Sequence, residues 1–202
     1  LQQLGAESIL AIEANTRAFL RCLIVKELLG MHNARFMCGD FLEFLRQNGE
    51  RFPLCLASGV LYHMQNPAQL IALLARHCSG HLFIWSHYYD PALVASRPEV
   101  ADHFSGSMPR EHEGFVHTLH RYKYKNATHW GGFCGAGREE SCWMTREDLL
   151  RCLAHFGFEV QAIGFDDPNH PNGPALAIVA KRTDFRPGTN PDTPKVVTAV
   201  SN

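Results

Sequence analysis

Short, almost wholly apolar runs alternate with helix-like segments through the first 90 residues, and this alternation limits the fold more than any other feature. Runs of strand length occupy residues 8–14, 34–38, 53–58 and 81–86. Strands that are apolar on both sides are typical of a parallel sheet whose two faces are covered by helices. The helix-like segments between them are 15–29, 41–47 and 67–77. The sequence therefore predicts an α/β fold built on a parallel sheet.

The pattern changes after the fourth strand. Residues 90–142 break the alternation, so we expect an insertion or lid there that selects the substrate. A helix capped by Thr145 follows, and then strands at 158–165 and 175–180 with only a turn between them, which predicts an antiparallel hairpin. We therefore expect one domain over residues 1–182, followed by a polar tail at 183–202 that carries three prolines and lies at the periphery.

Composition excludes several classes of function. With 46% apolar and 19% charged residues the chain is expected to fold, and its net charge of −1 gives no general attraction to nucleic acid or to an anionic membrane. No apolar run approaches the ~20 residues of a membrane span, and no basic segment precedes an apolar one at the start, so we expect neither a span nor a signal peptide. The seven cysteines form no C-x-x-C pair, which indicates buried free thiols in a reducing, cytoplasmic compartment.

Polar or small residues follow three of the predicted strands. They are Glu13, the pair Gly39-Asp40 and the pair Ser58-Gly59. Because ligands of parallel α/β sheets bind at the carboxyl ends of the strands, these residues are candidates for a nucleotide site. Glu13 could accept hydrogen bonds from ribose hydroxyls, or it could be a solvated acid. Asp40 could accept from an adenine amino group, and it could also cap the next helix.

The stretch LASGVLYHMQNP is the most specific motif of the chain. Its small residues Ser58 and Gly59 allow a ligand to approach the backbone closely. Tyr62 and His63 follow directly and are expected just above the strand ends. The alternative interpretation is that both are structural, the tyrosine packed and the histidine satisfied by internal hydrogen bonds.

Taken in order, IEAN, CGDF and SGVLYHMQNP resemble the class I S-adenosylmethionine-dependent methyltransferases, whose Rossmann-like sheet ends in an antiparallel hairpin. The VLYH-x-x-NP form is similar to the branch that contains tRNA wobble-uridine carboxymethyltransferases. The resemblance implies a cofactor site in which Glu13 and Asn15 lie at the ribose. It also implies that Asp40, with Gly39 and Phe41, holds adenine. Ser58, Gly59 and Tyr62 would line the methionine moiety.

The first strand of that family and its glycine-rich loop have no counterpart before Ser8. A missing central strand would leave unpaired backbone groups in the sheet. We therefore expect an upstream segment or a partner chain to complete it. Since the basic contacts that a carboxymethyl cofactor needs cannot be matched, ordinary S-adenosylmethionine is the predicted cofactor.

Methyl transfer from a sulfonium needs alignment of the acceptor, and a general base only when the acceptor is a poorly acidic O–H or N–H. His63 and His87, both near strand ends, are the candidate bases, with Tyr62 as an orienting hydroxyl. The histidines and cysteines of residues 90–142, Cys134 among them, fit no standard zinc spacing, so no metal is predicted.

The methyl acceptor is left open between a small molecule and RNA. The stretch HRYKYKN predicts a strand with Arg121, Lys123 and Lys125 on one face and Tyr122 and Tyr124 on the other. Three charges could meet phosphate, but a solvated strand face is the simpler interpretation. Two other functions compete with methyl transfer: a truncated, non-catalytic binding domain and a nicotinamide-dependent oxidoreductase.

Overall fold

The computed structural model describes residues 1–130, 133 and 138–183, together with the backbone of 196–201. Its strands are β1 (Ser8–Glu13), β2 (Ala34–Cys38), β3 (Phe52–Ser58), β4 (Cys78–His87), β5 (Phe104–His112), β6 (Phe115–Lys123), β7 (Glu140–Trp143), β8 (Phe158–Asp167), β9 (Ala175–Arg182) and β10 (Val196–Ser201). Its α-helices are α1 (Thr16–Leu28), α2 (Phe41–Gln47), α3 (Pro67–His77), α4 (Pro91–Ala95), α5 (Pro98–Ala101) and α6 (Arg146–His155).

The main sheet has seven strands in the order β2-β1-β10-β3-β4-β9-β8. From β2 to β4 all neighbours are parallel, whereas β9 runs antiparallel to both β4 and β8. The predicted parallel sheet and its final hairpin are thus confirmed. The reversed β9 also distinguishes this sheet from the nicotinamide dehydrogenases, which usually lack such a strand.

The centre of the sheet differs from the sequence-based expectation. Strand β10 lies between β1 and β3, parallel to both, with Ser8 opposite Val196 and Val197 opposite Leu54. Residues 196–201 therefore occupy the sheet position in which a gap was predicted, instead of belonging to a peripheral tail. Their position supplies hydrogen-bonding partners for the facing backbone edges of β1 and β3, which would otherwise be costly to bury.

Side-chain caps explain where the helices begin. Asn15 Oδ1 accepts hydrogen bonds from the backbone N–H groups of residues 17 and 18, Asp40 Oδ1 accepts from Leu42 N, and Thr145 Oγ1 accepts from Asp148 N. Each cap satisfies backbone donors that a helix leaves without an internal partner. Since Asn15 and Asp40 come directly after β1 and β2, the caps also fix how the chain turns at the carboxyl edge of the sheet.

The core lies on one face of the sheet, under α2, α3 and α6. Its members include Leu45, Leu70, Leu82, Leu153 and Ile178, each at most 2% exposed. Among the residues that the structure describes, the opposite face is covered less than the sequence predicts. Helix α1 has no buried residue, and its apolar side chains Leu20, Ile24 and Leu28 are exposed. No helix among the described residues is both long and apolar enough to cross a membrane.

The predicted insertion forms a second sheet in the order β5-β6-β7, antiparallel throughout. It is joined to the main fold by a backbone hydrogen bond from Cys142 N to Met64 O of 2.8 Å and by a bridge between Tyr89 and Thr145. Phe115 and Leu119 of β6 are buried in the common core. The second sheet is therefore packed onto the main fold, directly beside the end of β4.

A proline at position 198 tests the central position of β10. Thr198 lies opposite Leu10 on one side and Cys55 on the other. Thr198→Pro removes a backbone donor from the middle of the sheet, so the free energy of unfolding should fall by about 2–3 kcal/mol relative to Thr198→Ala in urea denaturation. Equal stability of the two variants would contradict a central β10.

Candidate functional site

The carboxyl ends of neighbouring strands bring most of the predicted site residues to one edge of the main sheet. Glu13 ends β1, Gly39 follows β2, Ser58 ends β3 and His87 ends β4. Parallel pairing holds these ends side by side, because Glu13 lies opposite Cys38 and Ser58 lies opposite Trp85. This edge is where ligands of open α/β sheets bind.

Glu13 is a buried carboxylate, with 2% of its surface exposed. Its Oε1 accepts a hydrogen bond of 2.8 Å from Asn15 N, which holds the side chain against the start of α1. Asn15 uses its own oxygen for the helix cap, and its Nδ2 lies 3.4 Å from Phe133 O. The predicted ribose ligand Glu13 therefore lies at the expected place, whereas Asn15 is engaged mainly in capping.

The CGDF stretch separates into an exposed and a buried part. Asp40 is exposed, and its Oδ1 accepts from Leu42 N at 2.7 Å. Gly39 N donates to Glu13 O at 3.0 Å, so the two strand ends are tied together. Phe41 is 3% exposed and packs in the core. The expected packing of Phe41 on adenine is not available in this arrangement, because α2 directs its first residue into the protein interior.

Gly59 and Tyr62 form a close pair above the end of β3. Gly59 has a φ of 75°, in the region that favours glycine, and its N–H donates to Trp85 O at 2.9 Å. A Cβ atom at this position would lie 3.7 Å from the Tyr62 hydroxyl oxygen. The tyrosine hydroxyl therefore lies close to the strand end, beside the exposed Ser58.

Tyr62 is the centre of an aromatic cluster drawn from four parts of the chain. Its ring centroid lies 4.2 Å from that of His63, 4.7 Å from His87 and 6.2 Å from Trp143. Trp143, on β7, stacks on His87 at 5.1 Å with an interplanar angle of 7° and on Tyr122 at 4.5 Å. Such contacts between rings stabilise the folded protein by more than the burial of the ring surfaces alone, and they fix the orientations of the rings. The second sheet thus supplies part of the site.

His63 is held by a residue of the insertion. Its Nδ1 is hydrogen-bonded to the hydroxyl of the buried Tyr124. Burial raises the pKa of Tyr124, so the phenol stays protonated, and its hydroxyl can either donate to the imidazole or accept from it. Burial, followed by the nearby His87, lowers the pKa of His63 to about 4. His63 is therefore neutral at pH 7.

His87 has a tautomer that its partners define. Its Nδ1 lies 2.9 Å from Gly173 O and 3.2 Å from Pro174 O. Because carbonyl oxygens only accept, Nδ1 must carry the proton, and Nε2 is the acceptor of the ring. Burial lowers the pKa of His87 to about 4, although the two carbonyls partly oppose this shift. The ring is thus neutral at pH 7, with a defined proton acceptor.

Trp143, Tyr124 and His170 of this cluster escaped the sequence analysis as site residues. Trp143 lies in an apolar run, and Tyr124 was assigned only to a strand face. His170, whose ring is 5.0 Å from that of His87, was assigned only to a turn. All three reach the site through pairing between distant segments, for which the local sequence carries no signal. The alternation in HRYKYKN did indicate that the tyrosines point away from the basic side chains.

Two of the three basic side chains of HRYKYKN are paired with acids. Arg121 pairs with Glu140 at 3.6 Å, and Lys125 pairs with Asp102. Lys125 lies in a 3-10 helix, not in β6 as predicted. These contacts favour the solvated interpretation over a phosphate-binding face.

Two further observations concern ligands. A cavity of about 320 Å³ adjoins the start of α1, where Asn15, Arg17 and Arg21 face Trp130 and Phe133. Within the described ranges, no group of three or more His, Cys, Asp or Glu side chains is arranged to hold a metal ion. Gly131, Gly132 and Cys134, which the sequence analysis placed in a lid or among possible metal ligands, lie outside the described residues.

No protein-family model and no curated protein matches the chain. Among solved structures, it is similar to the N-terminal domain of EvdMO1, solved with S-adenosylhomocysteine (SAH) and D-fucose, at 18% identity and a TM-score of 0.61 over 89% of this chain and 77% of that one. A methyltransferase from Methanosarcina mazei has 14% identity and a TM-score of 0.56 over 90% and 86%.

Magnesium protoporphyrin IX methyltransferase from Synechocystis, with SAH bound, has 12% identity and a TM-score of 0.53 over 90% of this chain and 77% of that one. These similarities confirm the predicted class I methyltransferase fold. At such identities they show the fold alone.

The neutral histidines predict a pH-dependent stability. Between pH 6.5 and about 4, a histidine of the unfolded chain binds a proton that His87 in the folded chain does not, so stability falls as pH is lowered through this range. His87 accounts for about 3 kcal/mol of this loss in the free energy of unfolding. Chemical denaturation at pH 7 and pH 4.5 should therefore show a smaller acid-induced loss for His87→Gln than for the wild type.

The exposed His32 offers a matched control, and His32→Gln should retain the full acid-induced loss. An unchanged loss in His87→Gln would mean that His87 is already protonated in the folded protein at pH 4.5.

Proposed function

We propose that the chain is an S-adenosylmethionine-dependent methyltransferase that uses the ordinary cofactor. The observation that carries the proposal is the convergence of Glu13, Asp40, Ser58-Gly59 and Tyr62 at the carboxyl edge of the sheet. The fold is shared with methyltransferases solved with SAH, the product of this cofactor, and with the EvdMO1 domain, which was also solved with SAH. Similarity of the VLYH-x-x-NP motif to the wobble-uridine branch supports the same class of cofactor.

The residues present fit a nucleoside at this edge. Glu13 would accept hydrogen bonds from the ribose hydroxyls, and Asp40 would accept from the adenine amino group with the oxygen that does not cap α2. Gly59 leaves room for a close approach of the methionine moiety, beside the Tyr62 hydroxyl. Since Glu13 is buried, binding requires the groups that cover this strand end to move aside.

When bound, S-adenosylmethionine supplies an electrophilic methyl group on a sulfonium, which is transferred in line to a nucleophile with loss of the thioether. The protein has to align the acceptor and exclude water. The ring cluster around Tyr62 and His63 provides an apolar enclosure in which Tyr62 orients the acceptor by its hydroxyl. The His87 ring offers Nε2 for the proton that the acceptor loses.

A neutral histidine with a pKa of about 4 is a weak base, and this fits methyl transfer. As the new bond to carbon forms, a proton on the attacking oxygen or nitrogen becomes more acidic, so a strong base is unnecessary. The proton moves to His87 Nε2, and the imidazolium then releases it to solvent. The acceptor is unassigned, and the second sheet beside the end of β4 is the part of the fold placed to select it.

Calorimetry with SAH tests the proposal. Glu13→Gln keeps the shape of the side chain and an acceptor for Asn15 N but loses the charge that ribose hydroxyls bind. We expect its SAH affinity to fall on the order of 10- to 100-fold, as for loss of a charged hydrogen bond. Asp40→Asn, which retains the helix cap, should weaken binding less.

Glu27→Gln on the exposed side of α1 is the matched control and should bind like the wild type. Absence of SAH binding to the wild-type chain would contradict the proposal and favour a non-catalytic domain. If Glu13→Gln and the wild type bind SAH with equal affinity, the ribose does not bind at Glu13.

A further inference from the structure

The turn between β8 and β9 contacts the candidate base directly. The carbonyl oxygens of Gly173 and Pro174 are the partners of His87 Nδ1, at 2.9 and 3.2 Å. Pro174 O also accepts from Tyr88 N at 3.0 Å, so this end of the turn is fixed to β4 by backbone as well as by side chain. The tautomer of His87 therefore depends on where this turn holds its carbonyl groups.

Arg97 clamps the same turn from the insertion. Its Nη1 donates to His170 O and its Nη2 to Pro171 O, each at 2.8 Å. Its Nε donates to Glu99, which orients the guanidinium from the other side. Two parallel N–H donors on consecutive carbonyls restrain both position and direction of the peptide groups. Arg97 lies outside the aromatic cluster, so packing of the cluster does not account for this arrangement.

Gly173 fixes the other side of the turn. Its φ is 110°, a conformation that favours glycine, and a Cβ atom there would lie 3.0 Å from Trp143 Cζ3, which is closer than most Cβ contacts. Its N–H donates to His170 O at 3.0 Å. The Gly173 carbonyl, which accepts a hydrogen bond from His87 Nδ1–H, is thus held between the residues that Arg97 binds and the ring of Trp143, on which His87 itself stacks.

In water a neutral imidazole prefers the proton on Nε2, which would leave Nδ1 as the acceptor. From the two carbonyls and the clamp behind them we infer that Arg97 is a positioning residue: through the β8–β9 turn it holds His87 as the Nδ1–H tautomer, with Nε2 available to accept a proton. This role rests on the proposed function and narrows it to methyl acceptors that lose a proton, hydroxyl or N–H groups, as distinct from a group that is methylated without proton loss.

The step balances without any further reactant. The acceptor oxygen or nitrogen forms its bond to the methyl carbon, the carbon–sulfur bond breaks with its electron pair leaving on sulfur, and the acceptor proton passes to His87 Nε2. The resulting imidazolium keeps its Nδ1–H on the carbonyls of the turn, which stabilise the positive charge. Release of the Nε2 proton to solvent restores the starting tautomer.

NMR of the protein labelled with ¹⁵N-histidine tests the inference, because two-bond ¹H–¹⁵N correlations distinguish the two neutral tautomers. At pH 7 we expect wild-type His87 to be protonated on Nδ1. In Arg97→Ala the turn loses its clamp, and we expect at least half of the population to shift to Nε2–H. Arg97→Lys, which can restore one of the two hydrogen bonds, should give an intermediate value.

Arg110→Ala is the matched control, since Arg110 is an exposed arginine of the insertion that lies on β5. It should leave the tautomer unchanged. The inference is overturned if wild-type His87 carries its proton on Nε2, a result that needs no variant to fold. It is also overturned if a folded Arg97→Ala retains the Nδ1–H form in full.

Calorimetry with SAH separates this inference from the proposed function. Arg97→Ala should bind SAH within twofold of the wild type, because the clamp lies beyond the nucleoside residues. A wild type that binds no SAH would refute the proposed function while the tautomer measurement still decided the role of Arg97. A tenfold loss of SAH affinity in Arg97→Ala would assign the turn to cofactor binding and overturn its role as a positioning device for the base.

Discussion

Parallel pairing at the centre of the main sheet is the constraint on which the rest of the structure depends. It places the ends of β1, β2, β3 and β4 at one edge, and with them Glu13, Asp40, Ser58 and His87. These residues are far apart in sequence, and only the common direction of the strands makes them neighbours. Strand β10 maintains this pairing by lying between β1 and β3. A shift of β10 would therefore change the site as well as the stability of the sheet.

The burial that makes the aromatic cluster rigid also keeps its histidines neutral. His63 and His87 both have their pKa lowered to about 4, mainly by burial. Their hydrogen-bonding partners nevertheless differ, because His63 contacts a phenol hydroxyl and His87 contacts carbonyl acceptors, which fix its proton on Nδ1. Two identical side chains beside Tyr62 thus have different hydrogen-bonding surroundings. The insertion contributes to both, through Tyr124 at His63 and through Arg97 behind His87.

Much of the main sheet could be predicted from sequence because its signals are local. Apolar runs predicted β1 to β4, and the capping residues Asp40 and Thr145 marked the starts of two helices. Strand β10 was missed: its β-branched run follows a proline-rich segment at the chain end, and only pairing with β1 and β3 makes it central. Phe41 was expected at the ligand, but the turn into α2 directs it to the core. Tyr124, His170 and Arg97 act through contacts between distant segments, which no local pattern reveals.

The most direct test of the account is a crystal structure of the chain with SAH. The account predicts the nucleoside at the carboxyl edge of the sheet, with both ribose hydroxyls within hydrogen-bonding distance of the Glu13 carboxylate and the adenine amino group at Asp40. It also predicts the homocysteine moiety beside Gly59 and the Tyr62 hydroxyl. A nucleoside bound elsewhere, or one whose ribose does not touch Glu13, would contradict it.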